Sequence, residues 1–248
     1  GFIGSEIAAA LAMQGCKVTI LFPDAGIGAR LFPEELANHL VGYYREKGVD
    51  ARPGVQVTGL SDSGSQIAVE GKSGLRLVVD VVVAGIGITP NTDLASAAGL
   101  AVENGIVVDD HLRTSLPDVF AAGDVASFQA PALGDRIRVE HEDNSLHMGH
   151  AAGRAMAGDT AAYTHLPFFY SDLFDLGYEA IGEMDPRGEL FSDWKEPFRE
   201  GVVYYLSRGR VRGVLLWNTW GQVDAARALI AEPGPFSAAN LKGRLQSH

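Results

Sequence analysis

The chain has 248 residues, a net charge of −11 and 46% hydrophobic residues. This length allows one large domain or two to three smaller ones, and the composition provides enough apolar side chains for buried cores. No apolar run approaches the roughly 20 residues that span a bilayer. No Lys/Arg cluster forms the basic face that a nucleic-acid partner would require. We therefore expect a soluble globular protein that binds neither nucleic acid nor membrane.

Cysteine usage and the N-terminus bear on the compartment. Cys16 is the single cysteine, which excludes an internal disulfide, a Cys-x-x-Cys redox pair and a cysteine metal cluster within the sequence. This usage is typical of a reducing compartment, so we expect a cytoplasmic protein. The sequence opens at Gly1-Phe2-Ile3-Gly4 without a Met or a leading strand, and we expect a missing N-terminal segment. A targeting signal in that segment would not be readable here.

The first 92 residues alternate helix and strand, as a parallel α/β unit does. The predicted elements are a helix over 5–14, a strand over 17–22, a helix from Pro33 to Gly48, and short strands over 55–59, 66–70 and 75–79. Gly15 stops the first helix, because helices commonly end at a glycine in the left-handed conformation. The almost wholly apolar run 78–84 predicts a strand that is covered on both faces.

The pattern changes after residue 92. The predicted elements are buried strands over 106–108 and 119–122, a helix over 145–157, strands over 202–206 and 211–217, and a helix over 222–231. Arg208-Gly209 lies between the last two strands and is typical of a hairpin turn. From about residue 165 we therefore expect antiparallel β structure.

The glycine pair at the start of the chain indicates a dinucleotide site. Gly1-x-x-Gly4 before a helix is similar to the end of the pattern Gly-x-Gly-x-x-Gly. That pattern needs glycine because the backbone approaches a pyrophosphate closely, and the helix N-terminus offers free N–H groups to the anion. Close packing of helix on strand would explain the same glycines.

An acidic residue at the expected spacing supports the dinucleotide interpretation. Asp24 lies 20 residues beyond Gly4, where a carboxylate would bind the adenosine ribose hydroxyls. Asp24 also fits an ordinary turn, because Pro-Asp-Ala-Gly is good turn chemistry. Arg30 could hold the 2′-phosphate of NADP, but with Asp24 present we expect NAD(H) and consider NADP the weaker alternative.

The second motif is a flavin signature. Residues 114–124 fit the pattern Thr-x6-Ala-x-Gly-Asp, in which a buried strand delivers Gly123 where no side chain fits. Asp124 would then face the ribityl hydroxyls of FAD, with Val125 following it at the start of a helix. Asp124 could also cap that helix, but capping does not explain the spacing to Thr114.

This pattern resembles the second FAD motif of flavoproteins of the pyridine nucleotide–disulfide reductase type, and residues 83–91 resemble the stretch that closes their NAD domain. The resemblance implies an α/β fold with a Rossmann-like NAD-binding domain and the second half of a FAD-binding domain, followed by a C-terminal α+β domain with an antiparallel sheet. The implied boundaries are 1–92 for the NAD(P)-binding domain without its first strand, 93–162 for the FAD half, and 163–248 for the C-terminal, dimerisation-like domain.

Several motifs in the last third narrow the resemblance. Residues 138–143, 152–154, 169–172 and 176–182 are similar to apoptosis-inducing factor, and the related ferredoxin and rubredoxin reductases share the architecture. Two departures argue against a signalling role. Only Asp185 to Phe198 separates two β segments where that family has a long insertion, and Tyr170 stands where a tryptophan beside the flavin is common. A bacterial-type reductase is the safer interpretation.

The resemblance assigns candidate site residues. Glu140 and His141 would lie at the flavin where nicotinamide stacks, and Tyr170 would lie beside the flavin. The residues implied to line or close the dinucleotide groove are Phe2, Ile3, Glu6 and Gly87. His141 could instead be a helix-start histidine in a polar cluster, and Tyr170 a core aromatic. His147 and His150 suggest a metal, but no third ligand lies at helical spacing, so we expect no metal site.

The function implied by the resemblance is hydride transfer from NAD(P)H to FAD, followed by electron transfer to an acceptor such as ferredoxin, quinone or oxygen. An electron-acceptor protein is a possible partner, and the C-terminal domain is a possible homodimer surface. One alternative is an NADH-responsive redox sensor with low turnover, in which dinucleotide binding changes dimerisation. Another is a binding fragment that holds no flavin as isolated.

Overall fold

The computed structural model describes residues 1–246, except for the side chain of Ser73. The helices are α1 (Phe2–Met13), α2 (Glu34–Glu46), α3 (Asp93–Ala97), α4 (Glu142–Met156), α5 (Val223–Ala231) and α6 (Ala238–Leu241). The strands are β1 (Thr19–Leu21), β2 (Asp50–Arg52), β3 (Val57–Ser63), β4 (Gln66–Gly71), β5 (Arg76–Val79), β6 (Ile106–Val107), β7 (Ala126–Ala130), β8 (Asp135–Ile137), β9 (Phe168–Leu173), β10 (Leu176–Gly182), β11 (Glu189–Glu196), β12 (Glu200–Ser207) and β13 (Arg210–Trp217).

The N-terminal part is the expected α/β unit. Strands β1 and β2 pair in parallel and helices α1 and α2 precede them in the chain. Helix α2 buries Leu36, Leu40 and Tyr44, which recur at the spacing of one helical face. Gly15 follows the end of α1 with a positive φ of 82°, as the sequence predicts.

The apolar run 78–84 was expected to be a buried strand, and this prediction is wrong. Strand β5 ends at Val79 and pairs antiparallel with β4, which pairs antiparallel with β3. Val81 and Val83 are 73% and 53% exposed, and within residues 1–246 no strand pairs with 80–92. Apolar composition signals a preference for burial, but a strand also requires a neighbouring backbone to bond with.

The middle of the chain forms a small three-stranded sheet in the order β6-β7-β8. Strand β6 is parallel to β7, and β8 is antiparallel to it. The predicted strand over 119–122 is absent in the described structure, where Phe120 forms only an isolated bridge with Arg113. Ala121 is nevertheless buried with Phe128 and Met148 in a core that α4 covers.

The C-terminal part is a five-stranded antiparallel sheet in the order β11-β12-β13-β10-β9. The predicted hairpin is confirmed, because Arg208 and Gly209 both have positive φ between β12 and β13. One face of the sheet packs on α1 and α2, and the other packs on α5 and α6. Aromatic residues join the first face to the N-terminal part, with the Phe32 ring edge-on to Tyr178 and Trp217 at 5.2 and 5.5 Å.

The expected fold class is therefore confirmed as α/β followed by α+β with an antiparallel sheet. The domain boundaries at 92 and 162 stay predictions. Across the residues that the structure describes, no helix is both long enough and apolar enough to span a bilayer.

Candidate functional site

The start of α1 has the geometry of an anion-binding helix N-terminus. Gly1 precedes the helix, and the first intrahelical bond runs from the Ser5 N–H to the Gly1 carbonyl. The N–H groups of the preceding residues are left for an external acceptor. Gly85 lies against this turn so closely that a Cβ there would be 3.1 Å from the Gly4 nitrogen. Glycine at position 85 therefore allows its backbone to approach the helix start, whereas a Cβ on Gly4 would contact nothing within 4 Å.

The other residues predicted for the groove lie around this turn. Ile3 is 48% exposed, and Glu6 accepts a hydrogen bond from the Ser171 hydroxyl at 3.1 Å. Gly87 is exposed and has a positive φ of 97°, which a side chain would oppose. Because Gly87 is exposed and has no side chain, its backbone could lie directly against a dinucleotide, as the predicted role of this residue requires.

Asp24 and Arg30 form an ion pair. The Arg30 Nε lies 3.3 Å from an Asp24 carboxylate oxygen, and the arginine side chain is 81% exposed. The guanidinium thus neutralises part of the charge on the carboxylate predicted to bind ribose.

The turn predicted to hold flavin has a defined internal structure. Residues Gly123 to Val125 form one turn of 3₁₀ helix, and Gly123 has a positive φ of 77°. The Gly123 N–H donates to the Met148 sulfur at 3.3 Å. The Asp124 carboxylate is exposed and accepts a hydrogen bond of 3.0 Å from the Ser145 hydroxyl. This geometry fits a carboxylate held ready for an external hydroxyl group.

His141 lies immediately before α4 and is largely buried. Its ring centroid is 4.7 Å from that of Phe169, and its Nδ1 is buried without a hydrogen-bond partner among the described residues. Burial lowers the pKa of His141 to about 4, although the carboxylates of Asp143, Asp124 and Glu140 act in the opposite direction. His141 is therefore neutral at neutral pH. It starts a helix, as the alternative interpretation expected, but its ring contacts an aromatic side chain.

Strand β9 connects the two predicted sites. The Phe169 ring contacts His141 on one side and Phe2 of α1 on the other, at centroid distances of 4.7 and 5.7 Å. Ser171, on the same face of the strand, donates to Glu6. The structure thus brings the start of α1 and the start of α4 to the same strand.

Tyr170 points away from this contact because neighbouring residues in a strand face opposite sides. It is 50% exposed, so it is not a core aromatic, and its hydroxyl lies 3.4 Å from the Glu142 carboxylate. Glu140 is also exposed and is bonded to Arg138 at 2.8 Å. Both side chains are therefore accessible at the same end of α4.

Sequence reasoning missed three residues that organise the site, namely Arg138, Ser145 and Phe169. Phe169 could have been found from strand alternation next to Tyr170. Ser145 lies four residues after His141, which places it on the same side of the helix start. The contacts of Arg138 join segments that are distant in sequence, and no local pattern indicates them.

A cluster of His and Asp near the site also escaped the sequence analysis. Asp143 Oδ2 accepts hydrogen bonds from His165 Nε2 at 2.6 Å and from Arg227 at 3.1 Å, and the rings of His147 and His165 stack at 3.9 Å. His165 lies outside α4, so spacing along that helix could not indicate its contact with Asp143 and His147. The Arg227 guanidinium occupies the position next to both ligand atoms and disfavours a second cation there. The expectation of no metal site stays a prediction.

Comparison with protein families gives two matches. The model for pyridine nucleotide-disulphide oxidoreductases matches residues 1–153, and the model for the C-terminal part of mitochondrion-associated apoptosis-inducing factor matches residues 189–232.

Individual relatives match almost the whole chain. Monodehydroascorbate reductase 3 of Arabidopsis thaliana is 35% identical over 95% of this chain and 55% of its own length. Apoptosis-inducing factor 1 of Dictyostelium discoideum is 34% identical over 93% of this chain and 47% of its own length. Putidaredoxin reductase of Pseudomonas putida is 32% identical over 98% of this chain and 58% of its own length. The chain spans about half the length of these relatives.

Solved structures agree with these matches. The covalent putidaredoxin reductase–putidaredoxin complex has a TM-score of 0.88 at 32% identity and covers 96% of this chain and 58% of its own. A ferredoxin reductase from Rhodopseudomonas palustris has a TM-score of 0.79 at 29% identity and covers 88% of this chain and 54% of its own.

Proposed function

Because the chain belongs to the pyridine nucleotide-disulphide oxidoreductase family, we propose that it is part of a flavoprotein that oxidises NADH and passes the electrons to an acceptor. This family membership confirms the resemblance that the sequence motifs indicated. The family uses FAD and a nicotinamide dinucleotide, and when bound they supply the hydride and electron transfer. The chain's own residues bind and orient the two cofactors.

The contact of Phe169 with both Phe2 and His141 supports this proposal most directly. Transfer between two cofactors requires that their reactive parts be held against each other, and positioning of this kind supplies much of the rate. Phe169 of strand β9 would hold the start of α1, where we place the dinucleotide, and His141, where we place the nicotinamide at the flavin, at one relative position. Two unrelated binding sites would have no need of such a strand.

The residues at the two turns have roles in binding. The free N–H groups at the start of α1 would bind the dinucleotide pyrophosphate, and Asp24 would bind the ribose hydroxyls. The Asp124 carboxylate, held by Ser145, would accept hydrogen bonds from the ribityl chain of FAD. Gly123 keeps this approach free of a side chain, since its φ of 77° disfavours any residue with a Cβ.

His141 and Glu140 would position the nicotinamide and exclude water. The low pKa of His141 means that its ring adds no positive charge to the site at neutral pH. Its Nδ1 is buried without a hydrogen-bond partner among the described residues, so it would reach a bound group only if the side chains around it moved. No protein nucleophile or redox cysteine is needed, and the single cysteine, Cys16, is exposed at the end of α1.

The names of the relatives suggest two acceptor classes. Putidaredoxin reductase has been solved in complex with a redox protein, whereas a monodehydroascorbate reductase is named after a small radical. We propose an acceptor that reaches the exposed side of Tyr170 and Glu140. The proposal includes an electron-acceptor protein as the partner and a homodimer formed through the C-terminal sheet.

A second candidate is an NADH-responsive sensor with low turnover. The match of residues 189–232 to apoptosis-inducing factor favours it. The segment Asp185 to Phe198, expected only to separate two β segments, contains strand β11 (Glu189–Glu196), so that expectation was wrong. Strands β10 and β11 are joined by the six residues 183–188, which leaves no room there for the long insertion of that family. An oxidoreductase with an acceptor is therefore the function that we favour.

The test is an anaerobic titration of the complete gene product with NADH, followed by its visible spectrum. We expect a yellow protein that bleaches with NADH and regains its colour when an acceptor is added. The variant Asp124→Asn should hold FAD at least tenfold more weakly, while Asp62→Asn, an exposed site on β3, should behave as the wild type. A wild-type protein that takes up no FAD would contradict the proposal, and slow reoxidation by every acceptor would favour the sensor.

A further inference from the structure

Arg138 joins groups from three segments at the proposed flavin turn. It follows β8, and its side chain is only 9% exposed. The guanidinium donates to the backbone carbonyl of Asp124 at 3.0 Å, to the Glu140 carboxylate at 2.8 Å and to the Asn104 side-chain oxygen at 3.2 Å. All three nitrogens of its fork are therefore used.

The turn before β6 is shaped around this side chain. Asn104 and Gly105 both have positive φ, of 42° and 120°. A Cβ on Gly105 would lie 2.8 Å from Arg138 Cδ and 2.6 Å from the Val125 carbonyl oxygen. Glycine is thus required at this position, because a side chain would displace either Arg138 or the residue that follows Asp124.

The carboxylates of Glu140 and Asp124 have different partners. Glu140 is the one carboxylate bonded to Arg138 among the described residues, while the Asp124 carboxylate is bonded to Ser145. The Arg138 guanidinium is buried, so the loss of its carboxylate would leave an uncompensated buried charge, whereas the exposed Glu140 carboxylate would lose its partner but keep its water. Arg138 therefore fixes the position of Glu140 and balances its charge.

We propose that Arg138 is a positioning residue that couples the Asp124 turn to Glu140 and sets the net charge that the flavin experiences. This inference rests on the proposed function, because that function places FAD at Asp124. Reduction adds negative charge to the flavin. An unbalanced Glu140 should therefore destabilise the reduced state more than the oxidised state, and the flavin midpoint potential should fall.

The experiment is a double-mutant cycle in the complete gene product with Arg138→Gln, Glu140→Gln and both together. The flavin midpoint potential and the dissociation constant of FAD are measured for each protein. Arg138→Lys keeps the charge without the fork and covers the case in which Arg138→Gln does not fold. The matched control is the exposed pair Arg76 and Glu70 in the sheet of β3 to β5, whose nitrogen and oxygen lie 3.2 Å apart.

We expect Arg138→Gln to lower the potential and Glu140→Gln to raise it. In the Glu140→Gln background, Arg138→Gln should have little further effect, so the double variant should stay close to Glu140→Gln. A tenfold weaker binding of the reduced flavin relative to the oxidised flavin corresponds to about 30 mV. Arg138→Lys should keep most of the potential but bind FAD several-fold more weakly, because the bond to the Asp124 carbonyl is lost. Substitutions at Arg76 or Glu70 should change neither quantity.

Two results would overturn the inference. Shifts that add without coupling would mean that Arg138 does not act through Glu140, and an unchanged potential in Arg138→Gln would mean that it acts only on folding. In either case the wild type would still bleach with NADH, so the proposed function would stand. A wild type without FAD would instead remove the function and this inference together.

Discussion

The ring of Phe169 lies against His141 at 4.7 Å and against Phe2 at 5.7 Å. One side chain of the C-terminal sheet thus contacts both the start of α1 and the start of α4. The sequence motifs assign the dinucleotide to the first and the flavin to the second. Replacement of Phe169 by Ala removes these two contacts and a third with the Tyr178 ring at 6.0 Å. We expect a loss of about 1–3 kcal/mol in the free energy of unfolding and weaker binding of both FAD and NADH.

Chemical denaturation and two binding titrations test this expectation. Phe191→Ala is the control, because Phe191 stacks on Tyr204 near the far edge of the same sheet. The control should lose comparable stability and keep both affinities. Equal effects of the two variants on binding would show that Phe169 has no special role at the site.

Ser145 should contribute to FAD affinity through Asp124. Its hydroxyl donates to the Asp124 carboxylate at 3.0 Å, and a hydrogen bond to a charged group contributes about 1.5–3 kcal/mol. Ser145 is exposed, so we expect Ser145→Ala to weaken FAD binding by about threefold to tenfold. Flavin fluorescence measures the change. Ser61→Ala, which removes a hydroxyl bonded to the exposed Glu70 on β3, should leave FAD affinity unchanged.

The preference for NADH should depend on the pair formed by Asp24 and Arg30. Asp24→Ser removes the carboxylate and releases the guanidinium, which can then bind a 2′-phosphate. We expect the ratio of kcat/KM for NADPH to that for NADH to rise at least tenfold, which is about 1.4 kcal/mol. The second substitution Arg30→Gln should reverse the gain. If the ratio stays constant in Asp24→Ser, the adenosine ribose is bound elsewhere.

Stability should fall as the pH falls from about 6.5 to about 4. Burial lowers the pKa of His141 from 6.5 to about 4, so the unfolded chain binds a proton in this range that the folded protein resists. The stability is fully present above pH 6.5. His165 has a pKa lowered by burial as well and acts in the same direction. Unfolding by urea at several pH values should show a shallower slope for His141→Gln than for the wild type, and equal slopes would argue against a buried neutral His141.

The sequence predicted the elements whose signals are local. A turn at Gly123-Asp124 could be predicted from spacing, and a turn at Arg208-Gly209 from its residue types. The flanking elements predicted for Gly123-Asp124 were wrong, because only an isolated bridge precedes the turn and strand β7, not a helix, follows its single 3₁₀ turn. The structure of the run 78–84 could not be predicted in the same way. Apolar residues indicate a preference for burial, but they do not show which neighbouring strand would pair with them and cover them. Composition alone therefore gave the wrong structure for Val81 and Val83.

The site was predicted only in part for a related reason. Motifs identified the residues that would face the cofactors, such as Asp24 and Asp124. Other contacts around the site join residues that are far apart in the sequence. Ser171 meets Glu6, 165 positions away, and Arg227 meets Asp143, 84 positions away. Such contacts follow from the packing of the C-terminal sheet, which no single segment encodes.

Neighbouring residues on β9 belong to two different environments. Phe169 faces the joined sites, Tyr170 faces outward, and the pairing of Ser171 with Tyr178 on β10 fixes this alternation. Natural variation at position 170 can therefore change the outer surface without disturbing the inner contact. A deletion of one residue before Phe169 would exchange the two environments along the rest of the strand. A substitution of Tyr170 should thus leave the contact of Phe169 with Phe2 and His141 intact, whereas a change in the length of this strand should abolish it.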